Sequence, residues 1–230
     1  VNLKENLARV QELILDSQTK AGLRHTVTIV AVTKTHPPSA IEAIVGAGLN
    51  QIGENRLQEA VVKFAALPPD LMVYKRMIGH LQSNKVNKAL GMFNSIDSVD
   101  SIKLANKINR RSEMLNQTTP ILLEVNTSGE PQKSGYRPDQ LEAMLSCMEM
   151  EHLKVEGLMT VGPLTSDEGR IRESFRTLRR ILEQLNIQRS SSTDPLTTLS
   201  MGMSGDFRLA VEEGSTMVRL GTVLFGPREQ

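Results

Sequence analysis

The sequence predicts a (β/α)8 barrel (a TIM barrel): a single parallel α/β domain with one additional helix at its start. Three observations carry that expectation. Short runs of β-branched and apolar residues alternate from end to end with apolar stripes at helical spacing, and neither strands nor helices cluster apart. That is the pattern of a parallel sheet with right-handed crossovers. The strand-like runs number eight, and the length of 230 residues suits a fold that takes roughly 250. An open doubly wound sheet is the alternative. No internal repeat and no linker divides the chain, so residues 1–230 read as one domain.

Leu3, Leu7, Val10, Leu13 and Ile14 share a helical face and Gly22 offers a stop, so an amphipathic helix precedes the first strand. Ile29-Val30-Ala31-Val32-Thr33-Lys34 is that strand, β-branched, apolar and ended by a lysine. Pro37-Pro38 favours a helix start, with Ile41, Ile44 and Val45 on one face and Gly46 and Gly48 near the end. Gln51-Ile52-Gly53 is a short second strand, followed directly by Glu54 and Asn55. Leu57, Ala60, Val61, Phe64 and Ala65 give the next helix, which Pro68-Pro69 breaks. Residues 72–78 form the third strand, closed by Gly79-His80, and Gln82-Ser83-Asn84-Lys85 begins a polar helix.

Residues 93–96 give the weakest strand signal, the fourth, and Ser98 reads as the cap of a long helix through Ile102, Ala105 and Ile108. Pro120 introduces a clear fifth strand, Ile121-Leu122-Leu123-Glu124-Val125-Asn126, and a turn-rich loop with Gly129, Pro131, Lys133, Ser134 and Gly135 follows. Leu141, Met144, Leu145 and Met148 make a helical stripe, residues 155–159 the sixth strand, and Ile171, Phe175, Leu178, Ile181, Leu182 and Leu185 the cleanest helix. After a polar loop at 189–195, residues 197–200 and 216–221 are the last two strands, with a short helix at 206–213 between them.

Composition excludes several functions. Lysine and arginine total 27 against 26 acidic residues, which leaves no electrostatic footprint for nucleic acid or an anionic membrane. Trp is absent, removing a stacking platform for single strands, and no apolar run approaches the roughly 20 residues of a membrane span. Neither nucleic acid nor membrane is an expected partner. Cys147 is the only cysteine, so no disulfide framework exists and a reducing, cytoplasmic location is expected. His25, His36, His80 and His152 are scattered without ligand spacing, so no metal is expected. Lys4, Glu5, Arg9 and Glu12 stand where a signal peptide would be apolar, while a start on Val1 stays compatible with a removed targeting segment.

Chemistry in such a barrel gathers at the C-terminal ends of the strands, where Lys34 stands. Apolar walls disfavour an ammonium and free an amine to attack a carbonyl, although many strand-end lysines are only solvated caps. Ser200-Met201-Gly202-Met203-Ser204-Gly205 closes the seventh strand with hydroxyls and flexible backbone, and Ser204 reads as N-cap of the following helix. Gly221-Thr222 closes the eighth and opens a Val223-Leu224-Phe225 turn. Singly these are ordinary turns; together, on consecutive strands, they suit a phosphate. Arg219 interrupts a buried apolar run and needs an acceptor, either a carboxylate such as Glu124 or a ligand lone pair in the barrel mouth. These parts suit pyridoxal 5′-phosphate, with its aldehyde on Lys34, its phosphate on Ser200, Ser204 and Gly221-Thr222, and its ring nitrogen facing Arg219.

Ala31-Val32-Thr33-Lys34-Thr35, Gly53-Glu54-Asn55, Ile78-Gly79-His80-Leu81-Gln82-Ser83-Asn84-Lys85, Lys133-Ser134-Gly135, Gly157-Leu158-Met159, Leu199-Ser200-Met201-Gly202-Met203-Ser204 and the run from Gly214 to Thr222 closely resemble the pyridoxal phosphate homeostasis protein family. The resemblance runs from the first strand to Gly226. It implies a single barrel like the N-terminal domain of alanine racemase, with the cofactor held covalently on Lys34 as an aldimine and Arg219 at the pyridine nitrogen. It also implies Asn55 and Met159 along the ring, Ser200, Met201, Ser204, Gly221 and Thr222 in the binding set, and His80 and Lys133 as neighbours. One departure is the aspartate expected soon after the Ser-Met-Gly-Met-Ser run, here Asp206 behind Gly205.

Carbanion-forming pyridoxal chemistry works best when a carboxylate keeps the ring nitrogen protonated. An arginine only donates a hydrogen bond there and weakens the electron sink. Racemases of the resembling fold add a tyrosine from a second, all-β domain and a partner subunit. Here the sequence ends at Gln230, soon after the eighth strand, and its tyrosines are Tyr74, in the third strand, and Tyr136, in a loop. The expected function is a monomeric carrier without robust catalysis, which holds the aldehyde and releases it to apo-enzymes or amino acids. A small amino-acid racemase using Lys34 and an unidentified second base is the alternative. A class I aldolase would, by family resemblance, carry its lysine on the sixth strand, whereas Lys154 precedes that strand.

Overall fold

The computed structural model describes residues 2–227; Val1 and residues 228–230, the ends of the expected 1–230 domain, lie outside the described residues. Helix α1 (Leu3–Ala21) comes first, capped by the Asn2 side chain and closed by Gly22 in the left-handed conformation at φ 68°. The repeating units then run β1 (Thr28–Val32), α2 (Pro38–Gly46), β2 (Gln51–Glu54), α3 (Leu57–Ala65) and β3 (Tyr74–Met77). A 3-10 turn at Ser83–Lys85 leads into α4 (Val86–Leu90), β4 (Ser95–Val99), α5 (Ile102–Met114), β5 (Thr119–Glu124) and α6 (Leu141–Met148). The chain finishes with β6 (Leu153–Met159), α7 (Glu168–Gln188), β7 (Thr198–Ser200), α8 (Phe207–Glu212), β8 (Met217–Leu220) and α9 (Thr222–Phe225). The strands pair in parallel in sequence order and β1 closes on β8, so the sheet is the expected closed barrel. Among the described residues no helix is long and apolar enough to cross a membrane.

Strand alternation divides the apolar residues between two cores. Ile29 and Ala31 of β1, and Val218 and Leu220 of β8, pack outward against Leu7, Val10 and Ile14 of α1 and Ile41 and Ile44 of α2. Ile121 and Leu123 of β5 and Leu199 of β7 pack outward into the larger cluster that includes Leu104, Ile108 and Phe175. Their neighbours in sequence, Val30, Leu122, Met159 and Met217, meet on the barrel axis. Continuing the same alternation aims Lys34, Glu124 and Arg219 toward that axis at the C-terminal end of the strands.

Several boundaries differ from the sequence expectation. β1 ends at Val32, so Lys34 stands in the turn beyond the strand. β4 is Ser95–Val99 and buried throughout, which places Ser98 inside a strand, donating from Oγ to the Gly79 carbonyl at 2.6 Å. The cap of α5 is Ser101, whose hydroxyl accepts from the Leu104 amide. The polar residues of β4 mimic a capping segment in sequence, whereas their partners lie on β3 and the turn after it: Ser95 and Asp97 accept from Arg76 and Ser98 donates to Gly79. Lys154 lies within β6, at its N-terminal end, and faces solvent beside Glu156. The lysine an aldolase would use is therefore at the far end of the barrel from Lys34.

Gly157 makes the close approach of β6 to β7 possible: a Cβ there would sit 2.0 Å from the Thr198 carbonyl oxygen. Both groups belong to the backbone ladder and neither can swing aside. Gly157→Ala is expected to destabilise the barrel by at least about 1–3 kcal/mol, the usual cost of overpacking. Urea unfolding checks this, and a midpoint equal to wild type would contradict the close packing of these strands.

Candidate functional site

The C-terminal mouth of the barrel holds a cavity of about 480 Å3 lined by Lys34, Asn55, His80, Glu124, Ser204, Arg219, Gly221 and Thr222, with Val32, Ile78 and Val161 among its apolar walls. This volume falls in the range of small-molecule sites, roughly 300–1,000 Å3. Lys34 enters it from a tight turn in which the His36 amide donates to the Thr33 carbonyl at 3.0 Å. The lysine is half-buried.

Arg219 forms one wall and is almost wholly buried. Its Nη1 donates to the carbonyl and the hydroxyl of Ser200, both at 2.7 Å, and its Nη2 to the Thr160 carbonyl at 2.7 Å. The carboxylate partner anticipated in Glu124 is absent from this set. Burial lowers the pKa of Arg219 from its ordinary value, opposed by the fields of Asp97, Glu124 and Asp206. The guanidinium is thus fixed by neutral acceptors on β7 and the strand-end residue Thr160, and keeps an edge toward the cavity.

Ser204 does not cap α8 as its sequence position suggests. Its Oγ accepts from the Gly221 and Val223 amides at 3.2 and 3.3 Å, so it joins the β7 loop to the start of α9. Asp206 precedes α8 instead, and its Oδ1 accepts from the Met203 amide at 2.6 Å, closing the loop on itself. The two glycine-containing turns are consequently one surface, with Ser204, Gly205, Gly221 and Thr222 side by side in the cavity wall.

On the other side, Asn55 follows β2, and its Oδ1 is buried without a hydrogen-bond partner among the described residues. Gly79 allows this crowding, since a Cβ there would lie 2.2 Å from the Asn55 carbonyl oxygen. His80 is exposed at the rim, with Nδ1 3.0 Å from Asp100. The remaining expected residues lie apart from the cavity surface. Met159 packs on the barrel axis, Ser200 is buried behind Arg219, and Met201 is buried in the outer core. Lys133 donates from Nζ to the Gly162 carbonyl at 2.9 Å and pairs with Glu130 at 2.8 Å, tying the β5–α6 loop to the β6–α7 loop.

Glu124 is the cavity residue that the sequence reading considered only as a partner for Arg219. It ends β5, the strand opposite β1 in the closed order, so it faces Lys34 across the mouth. Strand alternation from Leu122 was the available signal. Burial raises its pKa above the ordinary carboxylate value; Asp100 adds to the rise, while Arg219 and His80 oppose it.

A carboxyl that the fold holds above its unfolded pKa favours folding below about pH 4.5, and this contribution is lost as pH climbs through the folded value. Glu124→Gln removes the charge that the cavity disfavours. The variant is expected to melt higher than wild type at pH 8, with the difference vanishing toward pH 4. Calorimetry across that range checks it, and a wild-type melting temperature at pH 8 would contradict the buried placement of this carboxylate.

Residues 2–229 match the family described as alanine racemase, N-terminal domain. A pyridoxal phosphate homeostasis protein of Aquifex aeolicus is 38% identical over 231 residues, covering 100% of both chains. The structure of PipY from Synechococcus elongatus with PLP bound superposes with a TM-score of 0.85 at 35% identity, covering 97% of this chain and 100% of that one. An alanine racemase from Clostridium difficile shares the fold, with a TM-score of 0.77 at 15% identity over 56% of its length. Barrel, family match and full-length relatives agree: this chain belongs to the pyridoxal phosphate homeostasis protein family, within the alanine racemase N-terminal domain family.

Proposed function

We propose that this protein binds pyridoxal 5′-phosphate in the barrel mouth, covalently through Lys34, and serves as an intracellular carrier that holds the cofactor and yields it to apo-enzymes or free amines. One observation carries the reading: a lysine amine, a fixed guanidinium and two joined glycine turns share a single cavity. The residues present fit the group, including a buried Asn55 oxygen that lacks a donor among the described residues. When bound, the group supplies an aldehyde that condenses with a primary amine and can be passed to a competing one.

The chain's own groups divide the work. Lys34 offers the amine. Ser204, Gly205, Gly221 and Thr222 make the polar wall suited to the phosphate, and Asn55 stands opposite. Arg219, locked by Ser200 and Thr160, presents N–H donors to a ring nitrogen but does not give up a proton. Ser200 acts from behind by holding Arg219, and Met159 packs on the axis beneath the cavity, while Met201 packs in the outer core. Such an environment suits storage better than carbanion chemistry. Neither tyrosine enters the cavity: Tyr136 is buried with its hydroxyl 3.3 Å from Cys147 Sγ, and Tyr74 stands at the N-terminal end of β3 beneath Arg76. We place the protein in the cytoplasm as a monomer.

A second reading, a small amino-acid racemase, is favoured by Glu124, which gives the cavity a titratable group across from Lys34. Two measurements separate these readings. Incubation with the cofactor, borohydride reduction and peptide mass mapping should find a phosphopyridoxyl group on Lys34; its location on another lysine would overturn the site. Single-enantiomer amino acids in deuterated water should then show no α-proton exchange at turnover rates of about 1 s⁻¹ or more. Exchange at such rates would replace the carrier by the racemase.

A further inference from the structure

Behind the wall that carries Lys34 lies a buried ionic cluster that touches no part of the cavity. Glu54 ends β2 and, by strand alternation, faces away from the axis toward α3, where it is completely buried. Lys63 of α3 is 4% exposed and has an acceptor for each of its three N–H groups: Glu54 Oε1 at 2.6 Å, Glu59 Oε1 at 2.9 Å and the Thr33 carbonyl at 2.7 Å. A buried ion pair is weak evidence of stabilisation in itself. This one also leaves Glu54 Oε2 buried and without a partner among the described residues, which is costly. What the cluster holds therefore matters more than what it contributes to stability.

It holds the two residues that flank Lys34. Thr33 Oγ1 donates to the same Glu54 oxygen at 2.6 Å, and the Thr35 amide donates to the same Glu59 oxygen at 2.5 Å. Between those anchors the chain makes a turn closed by His36 N–H to Thr33 carbonyl, with Lys34 and Thr35 at its two central positions. Thr35 has φ of 67°. A β-branched residue in that region is a genuine outlier, at a turn position where glycine is the ordinary choice. Such a conformation persists only where the surroundings over-determine it. The surroundings here are the Lys63 cluster on one side and the β1–β2 ladder, with Thr33 N–H to Gly53 carbonyl at 3.1 Å, on the other.

We propose that Lys63, acting through Glu54 and Glu59, is a positioning residue that clamps the strained turn and thereby presents the Lys34 amine to the cavity. The proposal rests on the reading of Lys34 as the amine that takes the aldehyde. It assigns the Gly53-Glu54-Asn55 segment two opposite duties: Asn55 faces the cavity, while Glu54 secures the neighbouring turn from behind.

Three variants, read on the unloaded protein and after addition of the cofactor, test it. Glu59→Ala removes the arm on Thr35 from a partly exposed position and leaves the Glu54–Lys63 pair intact; Lys63→Met removes the centre of the clamp. On the unloaded protein, amide hydrogen exchange reads Thr35, and trace acetylation with mass spectrometry reads Lys34 against the other lysines. On addition of pyridoxal phosphate, absorbance gives the rate of condensation and borohydride mapping assigns it. Glu59→Ala should exchange faster at Thr35, acetylate Lys34 at an altered rate, and condense on the order of tenfold more slowly, because a small misplacement is costly in reactions of this kind. Lys63→Met should be slowed at least as much. Adding Thr35→Gly to Glu59→Ala should restore most of the rate, since glycine adopts the turn without strain.

Unchanged Thr35 exchange in Glu59→Ala, or wild-type condensation in both single variants, would overturn the clamp. Failure of glycine to rescue would overturn its assignment to the turn. A wild-type protein with no adduct on Lys34 would instead sink the reading of Lys34, and Thr35 exchange in the unloaded variants would still judge the clamp.

Discussion

In a closed eight-stranded barrel a side chain points either to the axis or to the surrounding helices, and alternation along each strand decides which. Val30 and Met217 face the axis, as do Leu122 and Met159, so the next residues of the same parity fill the mouth. From β1 that continuation reaches Lys34, from β5 Glu124 and from β8 Arg219. The neighbours of opposite parity, Ile29 and Ala31 in β1 and Val218 and Leu220 in β8, bind the barrel to its helices and fix the strands that aim those groups. The site thus inherits its geometry from the same packing that makes the fold.

The axis also carries charge. Arg76 is paired with Asp97 at 3.2 Å below the mouth, and the field of Asp97 reaches Arg219. Two cations and two carboxylates, Asp97 and Glu124, share the interior, so Arg219 can be held by neutral acceptors without an ion pair of its own. These neutral acceptors take three of the five guanidinium N–H groups. Held by the carbonyls of Ser200 and Thr160, it retains capacity toward whatever occupies the cavity.

The fold and much of the lining of the candidate cavity were legible in the sequence because both rest on short-range signals: β-branched runs, helical stripes, and a lysine, an arginine and glycine turns at strand ends. Lys34, Asn55, Ser204, Arg219, Gly221 and Thr222 do meet in one cavity, whereas Ser200, Met201, Met159 and Lys133 do not reach its surface. What was illegible depended on contacts distant in sequence. Ser98 looked like a cap because nothing local reveals that β4 continues to Val99. Ser204 sits three residues before α8 yet accepts from the amide of Gly221, the N-cap of α9, 17 residues on. Glu124 looked like a salt-bridge partner because charge suggests pairing, while its cavity position follows only from strand parity. For Lys63 the sequence offers only its i,i+4 neighbour Glu59, since its other two acceptors, Glu54 and the Thr33 carbonyl, come from β2 and the turn after β1.

In the function proposed above, the Lys34 amine, and not the cavity alone, would retain pyridoxal phosphate. Equilibrium titration of Lys34→Ala with pyridoxal phosphate tests it most directly. Loss of the visible absorption band is expected, together with affinity at least about tenfold weaker, a difference of some 1.4 kcal/mol. Wild-type affinity with the band intact would contradict it and leave an α/β barrel whose mouth binds without its lysine.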